Sequence, residues 1–470
     1  MTKKEFKRAV QCGLGRCVQE LQTTQNLEKY RDIVLWACTH ESAYDAQCEG
    51  PKSRHLYEMV KCFPDRQPFV EAAAVYFDKN IFDYGWGFSY ACCFLELAAQ
   101  DGNLYAAGIL KKYFGMMYEM LKHPNRHISE DIPPLRYNFS VLCISVVRLA
   151  HTEDEWEKRY FKVMEELGFL FLKNPRLCYW HFETFQWYGE DKCGKANIRR
   201  RIKEKAKNNR GIQSYLSSME KQEEYWKNEG DEPRRKKQEA LTADNIYHNL
   251  KEGGRVGRTV PIMAASMMLK KGKTEEVREL TAYYQKETDL SLRSQLLRLL
   301  EKGKCPEFLD AKTVIRDSRS EDECLRENAF LALQSVRDKK VHDYAIELLD
   351  RKERTEDVIC LLANNYQKED HDILVSLVTS LPVTYKENIS WHGPFMAILD
   401  MFKRGGSKHL PKELLPYIYE NTLCSCCRFS AVREMSRRRM LTEDIIRECL
   451  YDSYEDTREF AKTKGKYKDV

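Results

Sequence analysis

An arginine recurs at nearly regular intervals through the second half of the chain. The members of this series, the repeat arginines, are Arg258, Arg293, Arg326, Arg428 and Arg458. Their spacing is roughly 34 residues, a period typical of proteins built from stacked helix pairs, and the long interval from Arg326 to Arg428 is three such periods. Small or apolar residues follow each arginine at helical spacing, which places them on one face of a helix.

Each predicted first helix is followed by a second apolar helix. These second helices are predicted over 275–284, 340–350, 371–381, 412–420 and 443–450. Two further first helices, near Asp357 and Trp391, occupy the long interval without an arginine. A helix pair cannot bury its apolar face alone, so neighbouring pairs must stack. The sequence therefore predicts an all-α fold, an alpha-alpha superhelix (solenoid) of helix-turn-helix repeats.

Residues 318–350, SRSEDECLRENAFLALQSVRDKKVHDYAIELLD, resemble a HEAT repeat. Acidic residues precede the pair Leu325-Arg326, alanines follow, and the second helix ends at Asp350. The tetratricopeptide repeat has a similar period, but its Trp, Leu-Gly and Tyr positions are not matched. The resemblance to HEAT-repeat proteins extends over 255–462 and implies a HEAT-like solenoid, while it implies little about function.

The first half of the chain is also predicted to be helical, with less regular spacing. Residues 86–121 read as two helices joined by an Asp-Gly-Asn turn, and 176–188 read as a helix that is apolar nearly all round. No alternating apolar pattern indicates a sheet. Three regions are therefore predicted: an irregular N-terminal helical-repeat array, a charged, basic helix and linker, and a C-terminal HEAT-like array. Their boundaries are 1–197, 198–254 and 255–470.

Composition argues against a membrane-spanning or secreted protein. No apolar run is long enough to cross a bilayer, and even the best candidate, 139–147, is far too short. No apolar signal-peptide core follows the N-terminal lysines. We therefore expect a cytoplasmic protein whose 17 cysteines are reduced. Cys424 and Cys427 have the spacing of a zinc half-site, but no second pair follows, so we expect no metal and no cofactor.

The stretch CTHESAYDAQCEG, residues 38–50, concentrates groups that could bind a metal or support nucleophilic catalysis. It lies between two predicted helices, and a link of this length is long for a helical stack. The interpretations are a structural loop, a partner-binding edge, or a catalytic pair of Cys48 and His40, for which no third orienting group is evident. The stretch is similar to a segment, W-x-C-T-H…D-x-Q-C-E-G, of uncharacterised bacterial HEAT-repeat proteins, which implies no activity.

Two functions from different classes remain open. The first is a non-enzymatic scaffold that binds a protein partner on the concave surface of the solenoid. No G-x-G-x-x-G, Walker, H-E-x-x-H or G-x-S-x-G motif is found, so an enzyme is not favoured. The second is nucleic-acid binding through the basic segment 198–237, in which Lys and Arg outnumber Asp and Glu.

Residues 178–205 carry the nucleic-acid interpretation, because aromatic side chains run directly into basic ones. This arrangement is similar to that of the HEAT-like alkylpurine DNA glycosylases, which implies Trp180, Trp187 and Asp191 as residues to examine. The structural alternatives are a core position for Trp180 and a solvated helix face for 199–201. Across both functions the candidate partner-binding residues are His40, Glu41, Asp45, Glu49, Trp187, Arg199, Arg200, Arg201 and Lys203.

Overall fold

A computed structural model of the 470-residue chain describes residues 1–83, 86–123, 132–174, 176–227, 241–384, 391–405 and 409–464. Helices are the only extended regular elements in these ranges, where a single isolated bridge joins Val256 and Val260. The prediction of an all-α fold is confirmed. No helix in the described ranges is both long enough and apolar enough to cross a membrane.

Helices follow one another along the described residues. Up to residue 227 they are α1 (Lys3–Cys12), α2 (Arg16–Thr23), α3 (Glu28–Cys38), α4 (Ala46–Glu49), α5 (Ser53–Lys61), α6 (Gln67–Lys79), α7 (Gly87–Gln100), α8 (Leu104–Lys122), α9 (Ile132–Arg148), α10 (Glu153–Lys173), α11 (Glu183–Cys193), α12 (Lys195–Ala206) and α13 (Arg210–Tyr225).

From residue 241 onwards they are α14 (Ala243–Lys251), α15 (Ala264–Lys270), α16 (Thr274–Lys286), α17 (Leu290–Lys302), α18 (Ala311–Asp317), α19 (Glu323–Leu333), α20 (Lys339–Asp350), α21 (Thr355–Asn364), α22 (His371–Ser380), α23 (His392–Arg404), α24 (Leu414–Asn421), α25 (Ser425–Arg437), α26 (Glu443–Cys449) and α27 (Glu455–Lys464). Short 3₁₀ turns occupy Tyr179–Phe182, Pro306–Phe308 and Lys368–Asp370.

The chain packs into two compact units. The first unit contains residues 1–228, 423–429 and 441–470, and the second contains residues 229–422 and 430–440. The three-region division drawn from composition stays a prediction. The packing adds one fact that composition does not carry: the last helices, α26 and α27, belong to the same unit as the first ones.

Close backbone approaches hold the first unit together at glycine positions. A Cβ atom on Gly168 of α10 would lie 1.8 Å from the carbonyl oxygen of Gly211 in α13, so only glycine permits this contact. Glu448 and Ser453 pack equally closely against the Gly13-Leu14-Gly15 turn between α1 and α2. A Cβ on Gly13 would lie 2.1 Å from Ser453 Oγ, and one on Gly15 would lie 1.9 Å from the Glu448 carbonyl oxygen.

Four of the repeat arginines, Arg293, Arg326, Arg428 and Arg458, donate hydrogen bonds to backbone carbonyl oxygens. Nη1 of Arg293, Arg326 and Arg458 donates to the carbonyl oxygen six positions earlier, at 3.0, 3.0 and 2.7 Å. Arg293 and Arg428 each also pair with an aspartate further along the chain, Asp317 and Asp452 respectively. The bonds of Arg293, Arg326 and Arg458 satisfy carbonyl groups in the turn before each helix, which explains why an arginine recurs at these three positions.

The fifth repeat arginine, Arg258, departs from this pattern. The first helix expected to begin near it starts only at Ala264. Gly257 has a φ of +86°, outside the helical region, and Pro261 lacks the N–H that a helix interior needs. The prediction of a helix from Arg258 is therefore wrong in where the helix begins, and Arg258 lies in a loop.

Candidate functional site

His40, at the start of the 38–50 stretch, contacts its own helix. Its Nδ1 lies 2.8 Å from the Trp36 carbonyl oxygen and 2.9 Å from Thr39 Oγ1. Its ring stacks on the Trp36 indole with centroids 4.8 Å apart, and the Lys7 ammonium covers the same indole. These contacts hold the His40 ring against the end of α3.

Glu41 points inward rather than towards solvent. Its Oε1 accepts a hydrogen bond of 2.7 Å from the Ala43 N–H, and burial raises its pKa to about 7. The buried ammonium of Lys52 donates to the carbonyl oxygens of Gln11 and Ser42, both at 2.9 Å. Burial lowers the pKa of Lys52, while Glu49 and Glu41 act against that shift. Lys52 thus ties the loop to α1, and the Glu41 carboxyl is turned away from the surface that a partner would contact.

Asp45 and Glu49 shape the short helix α4. Asp45 Oδ1 accepts from the N–H groups of Gln47 and Cys48 at 3.0 and 3.3 Å, as an N-cap does. Glu49 Oε1 accepts from the Asp45 N–H at 3.4 Å. The Asp45 carboxylate raises the pKa of the exposed Cys48 thiol, the opposite of what an activated nucleophile needs. The geometry of the loop is therefore that of a structural connection.

The arginines of α12 are paired with carboxylates. Arg199 lies between Glu190 at 3.0 Å and Glu223 at 2.6 Å, which come from the neighbouring helices α11 and α13. Arg200 pairs with Glu204 at 2.7 Å.

The other two candidate residues of α12 are Arg201 and Lys203. Arg201 pairs with Glu157 of α10, whereas the Lys203 side chain is exposed. Residues 228–237 of the predicted basic segment lie outside the described residues. The carboxylates thus neutralise most of the positive charge that the sequence places on α12.

Three large aromatic side chains form a cluster on the surface of the first unit. Trp180 belongs to the 3₁₀ turn before α11, while Tyr225 and Trp226 stand at the end of α13. The Trp180 and Trp226 rings have centroids 5.5 Å apart, and those of Tyr225 and Trp226 are 5.7 Å apart. The three side chains, called the aromatic cluster below, are 49%, 51% and 38% exposed for Trp180, Tyr225 and Trp226.

The position of Trp180 corrects the interpretation of 176–188 as one helix with Trp180 in the core. The 3₁₀ turn over Tyr179–Phe182 changes the angular spacing, so that Tyr179 and Phe182 are buried and Trp180 faces outward. Trp187, two turns later on α11, is 50% exposed. Asp191 is exposed too. The signal that sequence reasoning missed was this single change of helix type.

No protein-family model and no curated protein sequence matches the chain. The geometry of its own residues is therefore the basis for an assignment of function.

Proposed function

We propose that the chain is a non-enzymatic scaffold, a HEAT-like solenoid that binds a protein partner on its concave surface. Support for the HEAT-like repeat comes from Arg293 and Arg326, which donate the same hydrogen bond to a carbonyl oxygen six positions earlier in two successive repeats. The observation that carries the binding role is the aromatic cluster, which holds three neighbouring rings partly in water.

Exposed aromatic clusters are costly unless a partner covers them. Contiguous apolar patches on soluble proteins mark interaction sites, and Trp and Tyr dominate the energetics of protein interfaces. The paired charges of α12 fit a protein interface better than a nucleic-acid one, because Arg199 and Arg201 already have carboxylate partners. The proposal therefore assigns the cluster, with Trp187 beside it in sequence, to the contact surface.

The test compares two changes of similar exposure in the first unit. A partner captured with the wild-type chain is purified, and its affinity is measured for Trp180→Ser and for the control Tyr105→Ser, whose side chain is 45% exposed on α8. We expect Trp180→Ser to weaken binding by about thirtyfold, the effect of a typical interface hot spot. Equal affinities for both variants and the wild type would contradict the proposal.

The alternative is a nucleic-acid-binding HEAT-like protein, with base excision as its extreme form. The aromatic cluster also favours this function, because bases stack on exposed rings. Its test is a titration of labelled single-stranded and duplex DNA and RNA at several salt concentrations, using the wild type and the Arg199→Gln/Arg200→Gln/Lys203→Gln variant. We expect weak binding or none from both. Micromolar binding at physiological salt that the variant loses would make this alternative the leading one.

A further inference from the structure

A cavity of about 730 Å³ opens at the start of the second unit, between α14 and the loop that precedes α15. Its volume lies within the range of small-ligand sites. Leu241, Ile246 and Val260 are buried and give it an apolar floor, and the half-exposed Met263 stands at its edge. Polar side chains, among them Arg258, form most of the remaining lining, together with Gly257, Pro261 and Ile262.

The loop beside the cavity is held in one shape by specific contacts. Thr259 Oγ1 donates to Asn249 Oδ1 at 2.7 Å and accepts from the Arg255 N–H at 2.9 Å. A Cβ on Gly254 would lie 2.1 Å from the same Asn249 oxygen, so this position needs glycine. The Gly257 N–H donates to the Val260 carbonyl oxygen at 2.8 Å. The loop therefore presents its side chains from a rigid frame.

Arg258 stands out against the other repeat arginines. Arg293, Arg326, Arg428 and Arg458 all donate to backbone oxygens. Among the residues that the structure describes, the Arg258 side chain has no ion pair and no hydrogen bond, and it is exposed at the cavity wall. Arg258 is thus the repeat arginine whose side chain makes no hydrogen bond to the described backbone, and it lines the cavity.

We propose that this cavity binds a carboxylate attached to an aliphatic group. The guanidinium of Arg258 matches a carboxylate through two parallel hydrogen bonds. The apolar floor takes the aliphatic part, and His248 and Asn249 add polar groups that can bond to an adjacent amide. The carboxylate of Glu252 also lines the cavity and provides an acceptor for an N–H of the same ligand. The C-terminal residue of a peptide and a free small acid share this chemistry.

The site lies in the second unit and does not depend on the aromatic cluster of the first unit. Failure of the proposed partner surface and failure of this cavity would therefore be seen in different experiments. Loss of binding in Trp180→Ser concerns the first proposal alone, and loss in a variant of Arg258 concerns only the second.

The test uses the full chain with ¹³C-labelled methionine methyl groups. The Met263 resonance is assigned with Met263→Leu, and N-acetyl-leucine or N-acetyl-leucinamide is then titrated into the wild-type chain. These two probes differ only at the carboxylate. We expect N-acetyl-leucine to shift the Met263 signal saturably with a dissociation constant on the order of millimolar, as befits a ligand of this size. The amide should bind at least about tenfold more weakly because it lacks the charge.

Two arginine variants distinguish a specific contact between the Arg258 guanidinium and the ligand carboxylate from a general effect of positive charge. Arg258→Gln should weaken N-acetyl-leucine binding by about tenfold or more, with the other methionine signals unchanged as evidence of folding. Arg255→Gln removes the same charge from the same loop but outside the cavity lining, and it should bind as the wild type does. Equal shifts from acid and amide, no shift at tens of millimolar, or equal losses in both variants would overturn the proposal.

A third probe identifies the source of the carboxylate. A hexapeptide with a C-terminal leucine is compared with N-acetyl-leucine on the wild-type chain. Tighter binding of the peptide supports a partner's C-terminus as the ligand, and equal binding supports a free small acid. Displacement of N-acetyl-leucine by an equal concentration of inorganic phosphate would contradict the aliphatic part of the proposal.

Discussion

Replacement of Arg428 tests how the two ends of the chain are joined in the first unit. Its side chain is fully buried, and its Nε and Nη2 donate to the Asp452 carboxylate at 2.7 and 2.9 Å. Nη1 donates to the Cys12 carbonyl oxygen at 2.5 Å, and Nη2 also reaches Ser425 Oγ and Ser453 Oγ at 3.2 and 3.0 Å. One guanidinium therefore links α1, α25 and the turn before α27.

Arg428→Met keeps much of the side-chain volume and removes all five hydrogen bonds. The Asp452 carboxylate, which is also fully buried, then loses this cationic partner. Breaking a buried ion pair on one side costs about 3–5 kcal/mol, and the Cys12 carbonyl loses its hydrogen bond from Arg428 as well. For a unit of this size we expect the thermal midpoint to fall by roughly 6–20 °C.

Tryptophan fluorescence is the appropriate readout, since six of the seven tryptophans lie in the first unit. The matched control is Arg447→Met on α26, where the arginine is 52% exposed and pairs with the exposed Asp444. An exposed pair contributes at most about 1 kcal/mol, so the control should unfold almost as the wild type does. Equal midpoints for the two variants would refute the reasoning.

Three further predictions follow from single positions. Burial raises the pKa of Glu41 from 4.5 to about 7, so between those pH values the carboxyl ionises in the unfolded chain and stays protonated in the folded one, and the free energy of unfolding falls as the pH rises. Glu41→Gln should therefore gain up to about 3 kcal/mol over the wild type by pH 8 and nothing at pH 4, and urea unfolding at both pH values checks this. Ala329 of α19 is fully buried, and Ala329→Leu should cost about 1–3 kcal/mol by overpacking; an unchanged thermal midpoint would argue against the repeat register. Gly168→Ala should push α10 away from Gly211 and destabilise the chain by a similar amount, whereas Gly115→Ala, whose Cβ would meet no atom within 4 Å, should raise or keep the midpoint.

The sequence by itself determined the helical class and the repeat period. Both depend on local information, because apolar residues at a spacing of 3.6 define one helix face wherever it packs. The bond that recurs at three of the repeat arginines is local as well. Arg293, Arg326 and Arg458 each donate to a carbonyl oxygen only six positions earlier, so this part of the pattern is visible in the sequence without the fold.

Only the tertiary structure decided which charged and aromatic groups are available to a partner. The sequence places Arg199 on a basic helix, but its partner Glu223 comes from another helix, and that contact neutralises it. Trp180 is exposed because the 3₁₀ turn over Tyr179–Phe182 buries Tyr179 and Phe182 and leaves Trp180 pointing outward. A turn of four residues is too short to be recognised from the spacing of apolar residues in the sequence.

The turn Gly13-Leu14-Gly15 and Arg258 show the same division between sequence and fold. The glycines are needed because Glu448 and Ser453, close to the opposite end of the sequence, lie against them, and no local pattern carries so distant a contact. The sequence pattern predicts that Arg258 is another repeat arginine. Because of Gly257 and Pro261, however, the helix begins only at Ala264, and the Arg258 side chain lies at a cavity. Local rules fix which helices form. The burial or exposure of each side chain depends on what packs against it, and that is set by contacts between distant parts of the chain.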